Sequence, residues 1–166
     1  MHRGHGQNYL AGEHRIGDIG QLTLFLLFMS FWISDMFLEY SSFLNEYVPV
    51  WVRLPIGVLL LITSAYMAKT GLSIIFGRNA QTQGVVKKGV FGWVRHPIYL
   101  SELLLYLALL VIQISLTAFI ILVLAIIFLY YISRYEERLL MEKYGDEYRQ
   151  YMREVPMWLP RFKKNK

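Results

Sequence analysis

The sequence predicts an all-α integral membrane protein: a bundle of about four transmembrane helices with a C-terminal helical hairpin and a cytoplasmic amphipathic tail helix. Three observations predict it. Apolar residues make up 55% of the 166 positions and charged residues only 17%, with mean hydropathy +0.37. That is too apolar for an ordinary soluble domain of this length. Four apolar runs recur along the chain, each near the ~20 residues that a helix needs to cross a hydrocarbon core. The Lys and Arg residues cluster between the runs, as in a multi-pass membrane protein.

The elements follow in order. Residues 1–18, "MHRGHGQNYLAGEHRIGD", form a polar N-terminal tail. His2, His5 and His14 lie in it without a metal-ligand spacing, so the tail reads as loose and solvated. The first span, 19–40, starts too far in for a cleaved leader and reads as a retained helix. Asp35 and Glu39 at its far end read as interfacial, with Trp32 and Tyr40 as anchors. The second span is 54–76, with Lys69 able to snorkel toward headgroups. Residues 19–76 thus form an N-terminal helical pair. Residues 77–166 form a second unit of loop, hairpin and tail.

The third span, 98–112, and the fourth, 116–132, are separated only by "QIS". Such a short connection predicts a tight antiparallel hairpin. After it, 136–155 carries Leu140, Tyr144, Tyr148, Tyr151 and Val155 at helical spacing. This predicts an amphipathic helix packed on the mouth of the bundle or lying in the interface, interrupted at Gly145. Two prolines end it, with Trp158, Phe162 and a basic end available to anchor it to lipid.

The net charge is +5. The basic residues flank apolar runs, which points to membrane lipids as the partner and away from nucleic acid. Few of them lie in the first loop and none in the "QIS" turn. The second loop and both tails are richer. This alternation predicts that both termini and the second loop are cytoplasmic. Cysteine is absent, which excludes a disulfide framework, a Cys metal site and a Cys nucleophile.

If the hairpin folds near Ile114 and Ser115, Arg95 comes opposite Tyr135 and His96 opposite Arg134. "RHP" and "RYEE" then meet at one membrane face. Pro97 suits the first helical position, which leaves Arg95 and His96 at a helix N-terminus that favours an anion. Glu136 and Glu137 favour a cation. A small zwitterion could be held between the two. A purely structural reading is also available. Arg95 is then a topology signal, His-Pro a helix-start turn, and the glutamates pair with Arg134 or Arg138.

"GVVKKGVFGWVRHPIYLSELL" followed by "RYEERLLMEKYGDEYRQYMREVPMWLP" resembles the membrane methyltransferase superfamily of isoprenylcysteine carboxyl methyltransferases and phospholipid N-methyltransferases. The resemblance runs from about Gln83 to Pro160. It rests on the order Arg-His-Pro-x-Tyr, hairpin, Glu-Glu, Tyr-Gly-x-x-Tyr-x-x-Tyr and Val-Pro. It implies S-adenosylmethionine as cofactor, bound at the cytoplasmic face. Arg95, His96 and Tyr99 would line its pocket, and Gly89 would let the backbone approach. Glu136 and Glu137 would hold the amino-acid head, and Arg134 would shape the charge around cofactor or substrate. Phe91 stands where the family often has Tyr, and Ser101 where it often has Gly.

The implied acceptor is lipophilic or lipid-anchored, with a prenylcysteine carboxylate or an amino-phospholipid both fitting. Glu102, one turn inside Pro97, is read first as a structural partner of Arg95 or Arg134. It is also a candidate to line the substrate opening or to take a proton from an amine. Two other readings compete. One is an NADPH-dependent membrane sterol reductase, whose His-Pro-Asn-Tyr differs from "HPIY" here. The other is a non-enzymatic four-helix membrane protein.

Overall fold

A computed structural model describes residues 15–77 and 84–159. His2, His5, His14, Arg78, Phe162 and the terminal lysines lie outside the described residues. Within them the chain forms five α-helices: α1 (Arg15–Leu38), α2 (Val50–Phe76), α3 (Pro97–Ile112), α4 (Leu116–Tyr144) and α5 (Asp146–Glu154). Two 3₁₀ turns, Phe43–Glu46 and Gly89–Gly92, punctuate the first and second loops. No strand occurs among the described residues. Three helices, α1, α2 and α4, are long and apolar enough to cross a membrane, and α3 is a shorter apolar helix beside them.

α1 starts at Arg15, inside the segment read as a loose tail, and not at residue 19. Two further boundaries differ from the sequence reading. α2 begins at Val50, a turn before the expected residue 54, behind Pro49 as its N-cap. Arg53 is therefore a helical residue and not a loop charge. Its guanidinium donates to the Ile112 carbonyl (2.8 Å) and to Asn45, tying the first loop to the end of α3. The second difference is larger. α4 does not stop at 132 but continues through "SRYEERLLMEKY" to Tyr144, because no helix-breaking residue intervenes before Gly145. Its 29 residues make a rod of about 43 Å at ~1.5 Å per residue, against a hydrocarbon layer of ~30 Å. The polar C-terminal third thus projects beyond the apolar run.

Gly145 ends that rod with φ 54° and ψ −125°. L side chains rarely adopt this conformation, so glycine is required there. The expected 136–155 helix is accordingly divided: its first half is the end of α4 and its second half is α5. Both halves use the predicted apolar face. Tyr148, Tyr151 and Val155 are buried together with Val85 of the second loop, and Leu140 and Tyr144 pack against them.

In the bundle α3 lies between α2 and α4, and α1 packs on α4. Phe28, Tyr106, Leu110, Ala118, Ile121, Leu122 and Ala125 form the buried core of α1, α3 and α4. The Tyr106 ring stacks on Phe28 with centroids 4.6 Å apart. α2 meets α3 through Gly57, Ser64 and Gly71, all buried and one heptad apart. Small residues at that spacing let two helices approach closely. A Cβ at Gly57 would stand 2.3 Å from the Ile112 side chain, and Ser64 Oγ donates to the Ser101 carbonyl at 2.6 Å.

The "QIS" hairpin is clamped from the α1 end. Asp35, near the end of α1, is fully buried. Its carboxylate accepts from Ser41 N (2.7 Å) and Ser41 Oγ (2.8 Å). Ser41 Oγ reaches Ser115 and Thr117 in turn, each at 3.1 Å, and its carbonyl accepts from Leu116 N. A buried carboxylate needs such partners, and here they fasten the start of α4.

Candidate functional site

The site lies at the end of the bundle away from "QIS". The second loop returns toward α3 through the Gly89–Gly92 turn. Gly89 opens that turn at φ 54°, and a Cβ there would press on Ile74 of α2 at 3.0 Å. Gly89 is thus placed by the turn and by α2. The turn buries Val90, Phe91 and Val94 against Met67 of α2. It delivers Arg95 and His96 immediately before Pro97, the first residue of α3.

These two residues meet Glu136 and Glu137 of α4. Arg95 donates through Nε to Glu137 Oε1 at 2.8 Å, and its Nη2 lies 2.7 Å from the same oxygen. The remaining nitrogen, Nη1, donates to the carbonyls of Met152 (3.1 Å) and Val155 (2.5 Å), where α5 ends. His96 bridges the carboxylates, with Nε2 3.2 Å from Glu137 and Nδ1 3.5 Å from Glu136. Tyr99, whose ring is stacked on His96 at 5.6 Å, donates its hydroxyl to Glu136. Arg134 completes the cluster from the outside, 3.2 Å from Glu137 Oε2.

The predicted convergence of "RHP" and "RYEE" is present, with a shifted register. Arg95 meets Glu137 and not Tyr135, and His96 meets both glutamates and not Arg134. The offset is less than one helical turn. Exposure separates the members. The Glu137 side chain is fully buried and Arg95 is 9% exposed, whereas Glu136 is 16% and Arg134 51% exposed. Arg95 has therefore committed its guanidinium to the protein itself. Burial alone would push the His96 imidazole toward its neutral form. The two glutamates accepting from its ring outweigh that, so its pKa is raised above the ordinary histidine value.

A main-chain contact that side-chain patterns did not reveal closes the site. Arg95 N donates to the Pro156 carbonyl (2.9 Å) and His96 N to the Met157 carbonyl (3.2 Å). The segment after α5 is thus strapped across the start of α3. Tyr151 Oη donates to the Phe91 carbonyl at 2.6 Å, and Val85 N to Glu147 at 3.2 Å. Two buried polar atoms near this end have no hydrogen-bond partner among the described residues: Ser133 Oγ, one turn before Glu137, and Nε1 of Trp158, which follows Met157.

Glu102 does not pair with Arg95 or Arg134, the expected structural role. Both arginines are on Glu137, and Glu102 instead accepts from Tyr106 Oη at 2.8 Å. A separate open cavity of about 400 Å³, lined by Glu39, Ser42, Phe43, Asn45 and Glu46, lies at the opposite end of the bundle. No group of His, Cys, Asp and Glu among the described residues could hold a metal ion.

Apolar helices with a polar, ionic cluster at one end define an integral membrane protein with a built site in its C-terminal half. Residues 52–147, more than half of the chain, match the family model described as phospholipid methyltransferase, and the chain belongs to that family. It is a membrane methyltransferase of the superfamily that its motifs resemble. The match begins in α2, earlier than the motif resemblance, and ends in α5. No curated protein and no solved structure matches the chain.

Proposed function

We propose that the protein is an S-adenosylmethionine-dependent methyltransferase acting on a lipophilic acceptor, of prenylcysteine-carboxylate or amino-phospholipid type. The observation that carries this reading is the convergence of Arg95, His96 and Tyr99 with Glu136 and Glu137 at one end of the bundle, in a chain of the phospholipid methyltransferase family. The donor set fits the cofactor. Its amino-acid head needs an anion for the ammonium and a cation for the carboxylate. Glu136, partly exposed, suits the first. Arg134, half exposed and with a single described ion pair, suits the second. The unpartnered Ser133 Oγ and Trp158 Nε1 offer further polar contacts nearby.

On this reading Glu137 and Arg95 hold the site in shape, and His96 and Tyr99 orient Glu136. Gly89 opens the turn that leads to them. Residues 77–166 form the cofactor-binding unit, supported by the helices of 19–76 and preceded by a polar tail, 1–18. The cofactor supplies an activated methyl group on a sulfonium. The protein's part is orientation and exclusion of water, with no covalent enzyme intermediate required. The Lys and Arg distribution favours a cytoplasmic site and cytoplasmic termini. The acceptor then reaches the site sideways from the bilayer, its tail remaining among lipids.

Equilibrium binding tests the reading. Purified protein in detergent should bind S-adenosylmethionine and not NADPH, and Glu136→Gln should weaken that binding. Transfer of a radiolabelled methyl group to total membrane lipids and to a prenylcysteine analogue then identifies the acceptor. Absence of cofactor binding by the folded wild type would overturn the proposal. Methylation confined to water-soluble acceptors would overturn sideways entry.

A further inference from the structure

Glu102 is a carboxylate that the clasp does not use. It lies half-buried in the apolar helix α3, on the same helical face as Tyr99 and Tyr106. The positions of those two residues bracket it. Tyr99 reaches Glu136 in the clasp, and the fully buried Tyr106 stacks on Phe28 in the core. Glu102 therefore sits about one helical turn, ~5 Å, deeper than the cluster. Its described hydrogen bond is the one from Tyr106 Oη at 2.8 Å. Among the described residues no cation pairs with it, since Arg95 and Arg134 are both held by Glu137. A carboxylate at such a depth is costly without a counter-charge and marks a functional position.

We propose that Glu102 is the acceptor-side catalytic residue, which receives the amine of a lipid-borne acceptor and takes the proton that methylation displaces. The proposal rests on the methyltransferase reading above and selects nitrogen over oxygen within it. An ammonium supplies the counter-charge that Glu102 lacks, whereas an acceptor carboxylate at the same depth would be repelled. The chemistry balances. The ammonium gives one proton to the Glu102 carboxylate, and the freed nitrogen lone pair forms the N–C bond to the methyl carbon. The C–S bond to the sulfonium breaks with its electron pair left on sulfur, giving a neutral thioether. Tyr106 positions Glu102 by donating to one oxygen and leaves the other for the amine.

The test compares wild type, Glu102→Gln and Glu102→Asp in lipid nanodiscs. A long-chain primary alkylamine and its chain-matched fatty acid are titrated without cofactor. S-adenosylmethionine is titrated separately, and methyl transfer to amine and carboxylate acceptors is then timed. Wild type should bind the alkylamine in preference to the fatty acid. Glu102→Gln should bind it about tenfold more weakly and transfer methyl to the amine about 10²- to 10⁴-fold more slowly, with cofactor affinity unchanged. Glu102→Asp should recover part of the rate. It also carries the test if the glutamine variant does not fold, since alkylamine binding is then expected to persist while kcat falls.

An undiminished amine rate in either variant overturns the assignment. A wild type that binds cofactor but methylates only the carboxylate acceptor overturns it as well, while leaving the methyltransferase reading intact. A wild type that does not bind S-adenosylmethionine overturns both.

Discussion

Arg95→Ala is the perturbation that separates a strut from a ligand. In the structure Arg95 makes two contacts to Glu137 and two to the carbonyls that end α5. Truncating one member of a buried ion pair costs about 3–5 kcal/mol, mostly because the other charge is left buried. Glu137 keeps His96 and Arg134, so the lower end of that range applies. Each abandoned carbonyl adds about 1 kcal/mol. The expected loss is therefore about 5 kcal/mol, and Arg95→Lys should recover roughly half of it as a point charge without the fork. Chemical unfolding in detergent measures the loss. Limited proteolysis reports whether α5 and the strap detach first, as they should. A loss under about 1 kcal/mol, with the C-terminal segment as resistant as before, would refute the strut. Weakened cofactor binding in that same intact protein would make Arg95 a ligand.

Three further outcomes are expected. His96 has a raised pKa, so its contribution to stability is fully present below the ordinary histidine value of about 6.5 and is lost as pH rises through the folded-state value. Unfolding followed as pH rises above that value should show a decline that His96→Gln flattens; parallel curves for the two proteins would contradict it. Gly145→Ala should cost about 1–3 kcal/mol by strain alone, since a Cβ there meets nothing within 4 Å. It should show as earlier cleavage between α4 and α5, and an unchanged digestion pattern would count against it. Ser41→Ala removes a hydroxyl that donates to the buried Asp35. It should destabilise the protein by about 1–3 kcal/mol without changing cofactor affinity, as calorimetry and denaturation can show side by side.

The apolar runs made the helices legible, and "QIS" and Gly145 made their breaks legible, because hydropathy and backbone permission are local properties. The meeting of "RHP" with "RYEE" was legible too, since a three-residue turn leaves the following helix little choice of partner. Its register was not. Arg95 reaches past the residue opposite it to Glu137, a matter of helix rotation and side-chain length that numbering cannot supply. Sequence reading also missed the carbonyls of Met152, Val155, Pro156 and Met157, because every residue has a carbonyl and none advertises its use. The burial of Asp35 was hidden for the same reason. Its partners Ser41 and Ser115, and Thr117 beyond them, are common residues with no motif of their own. The stripe of Gly57, Ser64 and Gly71 did carry a signal in the sequence, small residues at heptad spacing in an apolar helix.

The strap across the start of α3 has a consequence for biosynthesis. The chain is made from its N-terminus, so Arg95 and His96 are synthesised some sixty residues before the carbonyls of Pro156 and Met157 that their amides require. A nascent chain can already contain every apolar helix and both glutamates while its RHP turn is still unfastened. A chain truncated within α5 would keep the apolar helices but leave the Arg95 and His96 amides without those carbonyls.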